Sequence, residues 1–123
     1  MRTLLIADSN DAFREQLADA FRPYFCTLTC GDGLEALEIL AKRVGVFELN
    51  TGAISRGYRT TPYPSIPILK ELKRLGFGAI SSSDCHDGRK LDCGFEQARE
   101  LLLHCGFKEK YILTDSGFRA VEL

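Results

Sequence analysis

Residues 3–7 read TLLIA. Four consecutive apolar residues after one threonine lack the in–out alternation of a half-solvated strand, so they predict a strand covered on both faces, the kind that belongs to parallel sheets. The period then changes. Phe13, Leu17, Ala20 and Phe21 recur at helical spacing, which predicts a helix from about Asp11 to Arg22 with those four side chains inward and Pro23 as its stop. A buried strand followed by an amphipathic helix is one βα unit, and it sets the expectation for the whole chain: an α/β domain.

The alternation continues outward from that unit. FCTLT at 25–29 reads as a second strand, Gly31-Asp32-Gly33 turns the chain, and Leu34, Leu37, Leu40 and Ala41 line a second helix ending near Arg43. VGVFEL at 44–49 reads as strand three. The loop after it, NTGAISRGYRTTPYP, is long for a βα connection, which predicts either a functional role or flexibility. Ser65 is placed to cap the next helix, with Pro67 in its first turn and Ile68, Leu69, Leu72 and Leu75 inward. Gly78–Ser81 is a short fourth strand. Phe95, Ala98, Leu101, Leu102 and Cys105 make the buried stripe of a fourth helix that Gly106 closes.

The end breaks this rhythm. Tyr111–Thr114 reads as strand five, Asp115-Ser116-Gly117 is a turn signal, and Phe118–Leu123 alternates like a strand. Five parallel strands are too few to close a βα barrel, so the predicted architecture is an open, doubly wound, parallel five-stranded sheet with a C-terminal β-hairpin in place of the last helix. The loops that leave the strand C-termini then share one edge. That edge gathers Asp8–Asn10, Gly31–Gly33, Asn50–Ser65 and Ser82–Asp92.

Composition narrows the partners. The 123 residues, 45% apolar and 27% charged, suit one domain, and 16 basic against 17 acidic residues leave a formal net charge of −1. Such a balance offers no general attraction for nucleic acid or an anionic membrane. The first apolar run is too short for a secretory core or a spanning helix, and the five cysteines form no C-x-x-C pair, so a cytoplasmic protein with reduced thiols is expected. Cys26 and Cys105 are read as small apolar core residues.

Three phrases, RTLLIADSN (2–10), FREQL (13–17) and GDGLEALEIL (31–40), resemble the N-terminal half of a response-regulator receiver domain. That resemblance implies a flavodoxin-like sheet of order 2-1-3-4-5. Four others, FELNTGAISRGYRTTPYPS (47–65), SSDCHD (82–87), KLDCGFEQARELL (90–102) and YILTDSGF (111–118), resemble the C-terminal part of the histidinol-phosphate phosphatases of the polymerase-and-histidinol-phosphatase (PHP) family. That family is a metal-dependent phosphatase on a distorted βα barrel, and Asp84 and His86 match its last D-x-H metal motif. Neither resemblance crosses residues 43–44. The expectation is a single domain over 1–123, a recombined or engineered chimera of a receiver-like half (1–43) and a phosphatase-like half (44–123).

The inherited chemistry is incomplete on both sides. A receiver needs an acidic pair after strand one and a phosphoacceptor aspartate after strand three; Asp8 is followed by Ser9, Asn50 stands at the acceptor position, and Thr114-Asp115 replaces the lysine after strand five. Phosphorylation of that type is not expected. The phosphatase resemblance implies several histidine-rich metal motifs, but this chain has two histidines in all. Asp84 and His86, with Asp8 or Asp87 added, are expected to hold a divalent ion only weakly, and no cofactor is required. The competing reading has Asp84 capping a turn and His86 solvated, with His104 a solvated or capping residue at a helix end.

Arg56 and Arg59 present planar donor forks suited to phosphate or sulfate, and the resemblance implies a phosphate-binding role for this loop; Ser81, Ser82 and Ser83 are candidate additional donors. Glu48 alternates onto one face of strand three with Val46 and Asn50, and is expected near the strand end, either wet or paired. The missing terminal helix leaves a sheet face or edge that either the hairpin Tyr111–Leu123, folded over it or paired along it, or a second copy of the chain in a homodimer could cover. Together these readings predict a non-enzymatic α/β scaffold with no intact catalytic site. The alternatives are a metal-dependent phosphomonoesterase remnant working through Asp84, His86, Arg56 and Arg59, and a degenerate receiver module.

Overall fold

Hydrogen-bonded strand pairs organise the computed structural model, which describes residues 1–43 and 45–123. The chain is a mixed α/β protein, and its contacts gather into two compact units, Met1–Arg43 and Val44–Leu123. Strand three was expected to begin at Val44, which lies outside the described residues. No helix is long and apolar enough to cross a membrane among the described residues.

In the first unit, β1 (Thr3–Ala7) and β2 (Cys26–Cys30) pair in parallel, Thr3 opposite Cys26 through Ala7 opposite Cys30. Helix α1 (Asp11–Phe21) starts where the Asn10 side chain accepts the Phe13 N–H at 3.0 Å. Helix α2 (Gly33–Leu40) starts at Asp32, whose carboxylate accepts from Leu34 and Glu35 N–H at 2.8 and 2.9 Å, while Glu35 accepts from Gly31 N–H at 2.8 Å. These reciprocal bonds satisfy donors that a helix start leaves open.

The helix faces differ from those expected. Arg14, Leu17 and Ala18 form the covered stripe of α1, while Phe13, Ala20 and Phe21 are exposed. The Arg14 guanidinium sets this rotation, donating to the Asp8 carbonyl at 2.6 Å and to Asp11 at 2.7 Å, so its stem lies along the strand end. In α2 only Leu37 is buried, and Leu34 is exposed. Nor is TLLIA covered on both faces: Ile6 is buried, Leu4 and Leu5 are half-buried, and Ala7 is exposed. Forty-odd residues carry too little chain to cover a strand pair completely. Cys26, expected in a core, is exposed, whereas Cys30 and Cys105 are buried.

The second unit pairs β3 (Val46–Asn50) with β4 (Gly78–Ser82) in parallel, Val46 opposite Gly78 through Asn50 opposite Ser82. Between them run α3 (Gly52–Ser55) and α4 (Ile66–Arg74); α5 (Phe95–His104) follows β4 after a 3₁₀ turn at Gly88–Lys90. Leu49 from β3, Leu69 from α4, Ala79 from β4, and Ala98, Leu102 and Cys105 from α5 or its cap close a core with Phe107. Helices α4 and α5 end alike. Gly76 (φ +85°) and Gly106 (φ +90°) adopt the left-handed turn, and the N–H groups of Phe77 and Phe107 reach back to the carbonyls of Leu72 and Leu102, each at 3.0 Å. Ser65 occupies the cap position of α4, but its side chain makes no capping bond.

The chain does close with a hairpin. β5 (Glu109–Thr114) and β6 (Gly117–Glu122) pair antiparallel, Glu109 opposite Glu122 through Thr114 opposite Gly117, and the turn is completed by Gly117 at φ +102°. The hydrogen-bonded ladders stop at pairs: β1 with β2, β3 with β4, β5 with β6. No five-stranded ladder is drawn among the described residues. β5 nevertheless lies beside β4, and the Tyr111 ring packs on Gly78 so closely that a Cβ there would run into it. A ring laid across the neighbouring backbone packs the strands by side chain where a ladder would pair them by main chain. Glu48 is exposed and accepts from Asn50 Nδ2 at 3.3 Å, so the carboxylate stays wet, as expected.

Candidate functional site

β3 and β4 end side by side at Asn50 and Ser82, so the chain segments that follow them start from one edge of the second unit. The first is anchored at Thr51, fully buried, whose N–H donates to the Ser82 carbonyl at 2.8 Å and whose hydroxyl donates to the Cys93 carbonyl at 2.6 Å. The long loop is not irregular throughout. It forms α3, then returns to β3 through a two-bond bridge between Asn50 and Tyr63, and Gln97 donates to the Thr60 carbonyl at 2.6 Å.

Arg56 and Asp84 meet across this edge. Arg56 Nη2 donates to Asp84 Oδ2 at 3.1 Å and Nη1 donates to the Asp84 backbone carbonyl at 3.1 Å. Gly52 makes room for both: a Cβ there would stand 2.9 Å from Arg56 Nη2 and 2.9 Å from Asp84 Cβ. Asp84 itself has φ +45°, a left-handed conformation that aspartate tolerates better than most residues. His86 Nε2 lies 3.6 Å from Asp84 Oδ1. The Arg56 hydrogen bond, with help from its charge and from His86, holds the Asp84 carboxyl below the usual range.

Asp87 is engaged elsewhere. Its Oδ1 accepts from Arg89 N–H at 3.1 Å and Nε at 3.0 Å, its Oδ2 takes Arg89 Nη2 at 2.8 Å, and these bonds likewise lower its pKa. Both pairs are therefore complete above the ordinary carboxylate pKa and are lost as pH falls through the lowered values. The Cys85 thiol donates to the Asp87 carbonyl at 2.7 Å. Lys90 Nζ donates to the Ser55 carbonyl at 2.9 Å. A cleft of about 290 Å³ results, lined by Ser55, Arg56, Tyr58, His86, Asp87 and Lys90.

The other candidates are engaged in contacts of their own. Arg59 stacks on Tyr63, 4.2 Å from the ring centroid, donates to Thr61 Oγ1 at 3.4 Å, and lines a separate cleft with Pro62 and Pro64. Asp8 belongs to the first unit, where it accepts from Asn10 N–H at 2.7 Å. Ser83 is buried and the Ser82 hydroxyl accepts from Asp84 N–H at 3.3 Å, which turns these serines toward the loop backbone. His104 is exposed at the end of α5. Among the described residues no three histidine, cysteine, aspartate or glutamate side chains gather as a metal centre requires. Lys90 and Ser55 escaped notice in the sequence. Thirty-five positions separate them, and only the β3–β4 pairing brings their loops together.

No family model, curated protein or solved structure matches the chain.

Proposed function

We infer that the chain is a non-catalytic α/β scaffold, a chimera of receiver-like and phosphatase-like halves, whose second unit holds small oxyanions weakly in the Arg56–Lys90 cleft. One observation carries this reading: Asp84, the carboxylate that a metal would require, is already shared between Arg56 and His86. A metal ion must displace a guanidinium to reach it. Around the cleft Arg56, Arg89 and Lys90 face Asp84 and Asp87, so the local balance favours a small anion. The finer architecture, an open doubly wound sheet of flavodoxin-like order 2-1-3-4-5, and a cytoplasmic setting go with this proposal. The parallel sense of the β1–β2 and β3–β4 pairs supports the sheet.

The second reading is a metal-dependent phosphomonoesterase remnant, favoured by the approach of His86 to Asp84. In that case added Mn²⁺ or Zn²⁺ would bring phosphatase turnover that His86→Ala abolishes.

Titration with inorganic phosphate, followed by the amide NMR signals of residues 55–58 and 86–90, tests the first reading. Affinity on the order of millimolar is expected, as suits a few exposed charges. Arg56→Ala should remove it and Arg59→Ala should leave it unchanged. Loss on Arg59→Ala with retention on Arg56→Ala would overturn the assignment of the cleft.

A further inference from the structure

The Arg56 fork is filled from within the chain. Its two Nη atoms take a carboxylate oxygen and a backbone carbonyl of one residue, Asp84, each at 3.1 Å, much as a guanidinium takes two oxygens of a bound oxyanion. The left-handed turn at Asp84 (φ +45°) delivers that carboxylate, and the absence of a side chain at Gly52 lets it arrive. Neither partner is locked in place. The Asp84 side chain is 46% exposed and that of Arg56 35%, and Arg56 lines a water-accessible cleft together with His86 and Asp87, the neighbours of Asp84 in the loop.

Resting on the reading of that cleft as an anion site, we propose that the Asp84 carboxylate is an internal stand-in for the ligand: it occupies the guanidinium until a phosphate dianion displaces it. The exchange is chemically unequal. A carboxylate brings one negative charge, whereas phosphate brings two and more acceptor oxygens, enough to reach Lys90 as well as Arg56. An ammonium has three N–H groups, and the Ser55 carbonyl takes one of those on Lys90. His86, which lies 3.6 Å from Asp84 in the closed arrangement, also lines the cleft and is positioned to contact the incoming anion. The stand-in lowers affinity and raises selectivity: anions with a single charge compete poorly against a carboxylate that is always present.

The test is the same phosphate titration, at a pH where the dianion dominates, on Asp84→Asn. Asparagine keeps the size and tolerates the left-handed turn while removing the charge. Affinity should rise by up to about fivefold, the upper end of what an exposed ion pair contributes, and Arg56→Ala added to Asp84→Asn should abolish the gain. Asp84→Gly, which also accepts the turn, should show the same rise, so a folding defect of one variant cannot hide the effect. Wild-type protein and Asp84→Asn binding phosphate equally would overturn the stand-in and leave the cleft reading standing. No binding by either protein would overturn both.

Discussion

Replacing Leu102 with alanine is expected to cost about 3 kcal/mol of stability, within the range measured for buried leucines. Leu102 is fully buried on α5, and the core around it is made by Leu49, Leu69, Ala79, Ala98, Cys105 and Phe107. Two of those neighbours are alanines, whose single methyl groups cannot swing into the space a leucine leaves. Phe47, Leu101 and Leu123, only partly buried, pack at the margin of this cluster, where collapse is easiest. Most of the cavity should therefore persist, with its own cost added to the lost burial. Leu103, the next residue on the helix and 42% exposed, is the internal control. Its alanine variant should cost less than about 1 kcal/mol. Chemical denaturation of the three proteins checks both, through a shift in midpoint at constant slope. A Leu102→Ala midpoint close to that of wild type would mean that α5 is not seated on this core.

Gly94→Ala is expected to cost about 2 to 4 kcal/mol, from two sources acting together. Gly94 has φ +79°, where an L side chain is strained, and its Cβ would stand 2.9 Å from Thr51 Cβ and 3.2 Å from Thr51 Cγ2. Thr51 cannot yield easily, because it is fully buried and its hydroxyl is tied to the Cys93 carbonyl. Gly57 separates the two sources. It has nearly the same backbone angle, φ +74°, but nothing within 4 Å of a built Cβ, so Gly57→Ala should show the backbone penalty alone, about 1 to 2 kcal/mol. The excess at position 94 then measures the contact with Thr51. It also reports on the cleft, because Thr51 anchors the segment that carries Arg56. Melting curves of the two variants side by side make the comparison, and equal losses would show that Gly94 and Thr51 are not packed together.

The local order of this chain was legible because strand and helix periods differ so clearly. The helix ending at Gly106 and the closing hairpin rest on interactions within a few residues of each other, which sequence spacing reports directly; the side-chain caps at Asn10 and Asp32 and the turn at Gly76 are equally local but escaped it. The boundary between the two compact units falls between Arg43 and Val44. Side-chain orientation was less legible. Arg14 turned α1 by bonding a strand-end carbonyl, a contact that apolar periodicity cannot register, and so Phe13 lies outward.

At the site, sequence proximity misled. Arg56 and Arg59 are three apart, yet one reaches Asp84 and the other stacks on Tyr63, because the short helix α3 and the Asn50–Tyr63 bridge send the two halves of the loop in different directions. The D-x-H pair was found by resemblance, but the residue that occupies Asp84 could not be. That Arg56, 28 positions away, meets Asp84 follows only from the parallel pairing of β3 with β4. Long-range pairing decides which charges meet, and no local pattern encodes it.

The central claim is that the carboxylate a metal would need is spent on Arg56 and His86. Metal content after incubation with Zn²⁺ or Mn²⁺ and removal of free ions tests it most directly. The expected result is no stoichiometric metal and a melting temperature indifferent to chelator. Stoichiometric metal that survives desalting, raises the melting temperature and disappears in His86→Ala would contradict it.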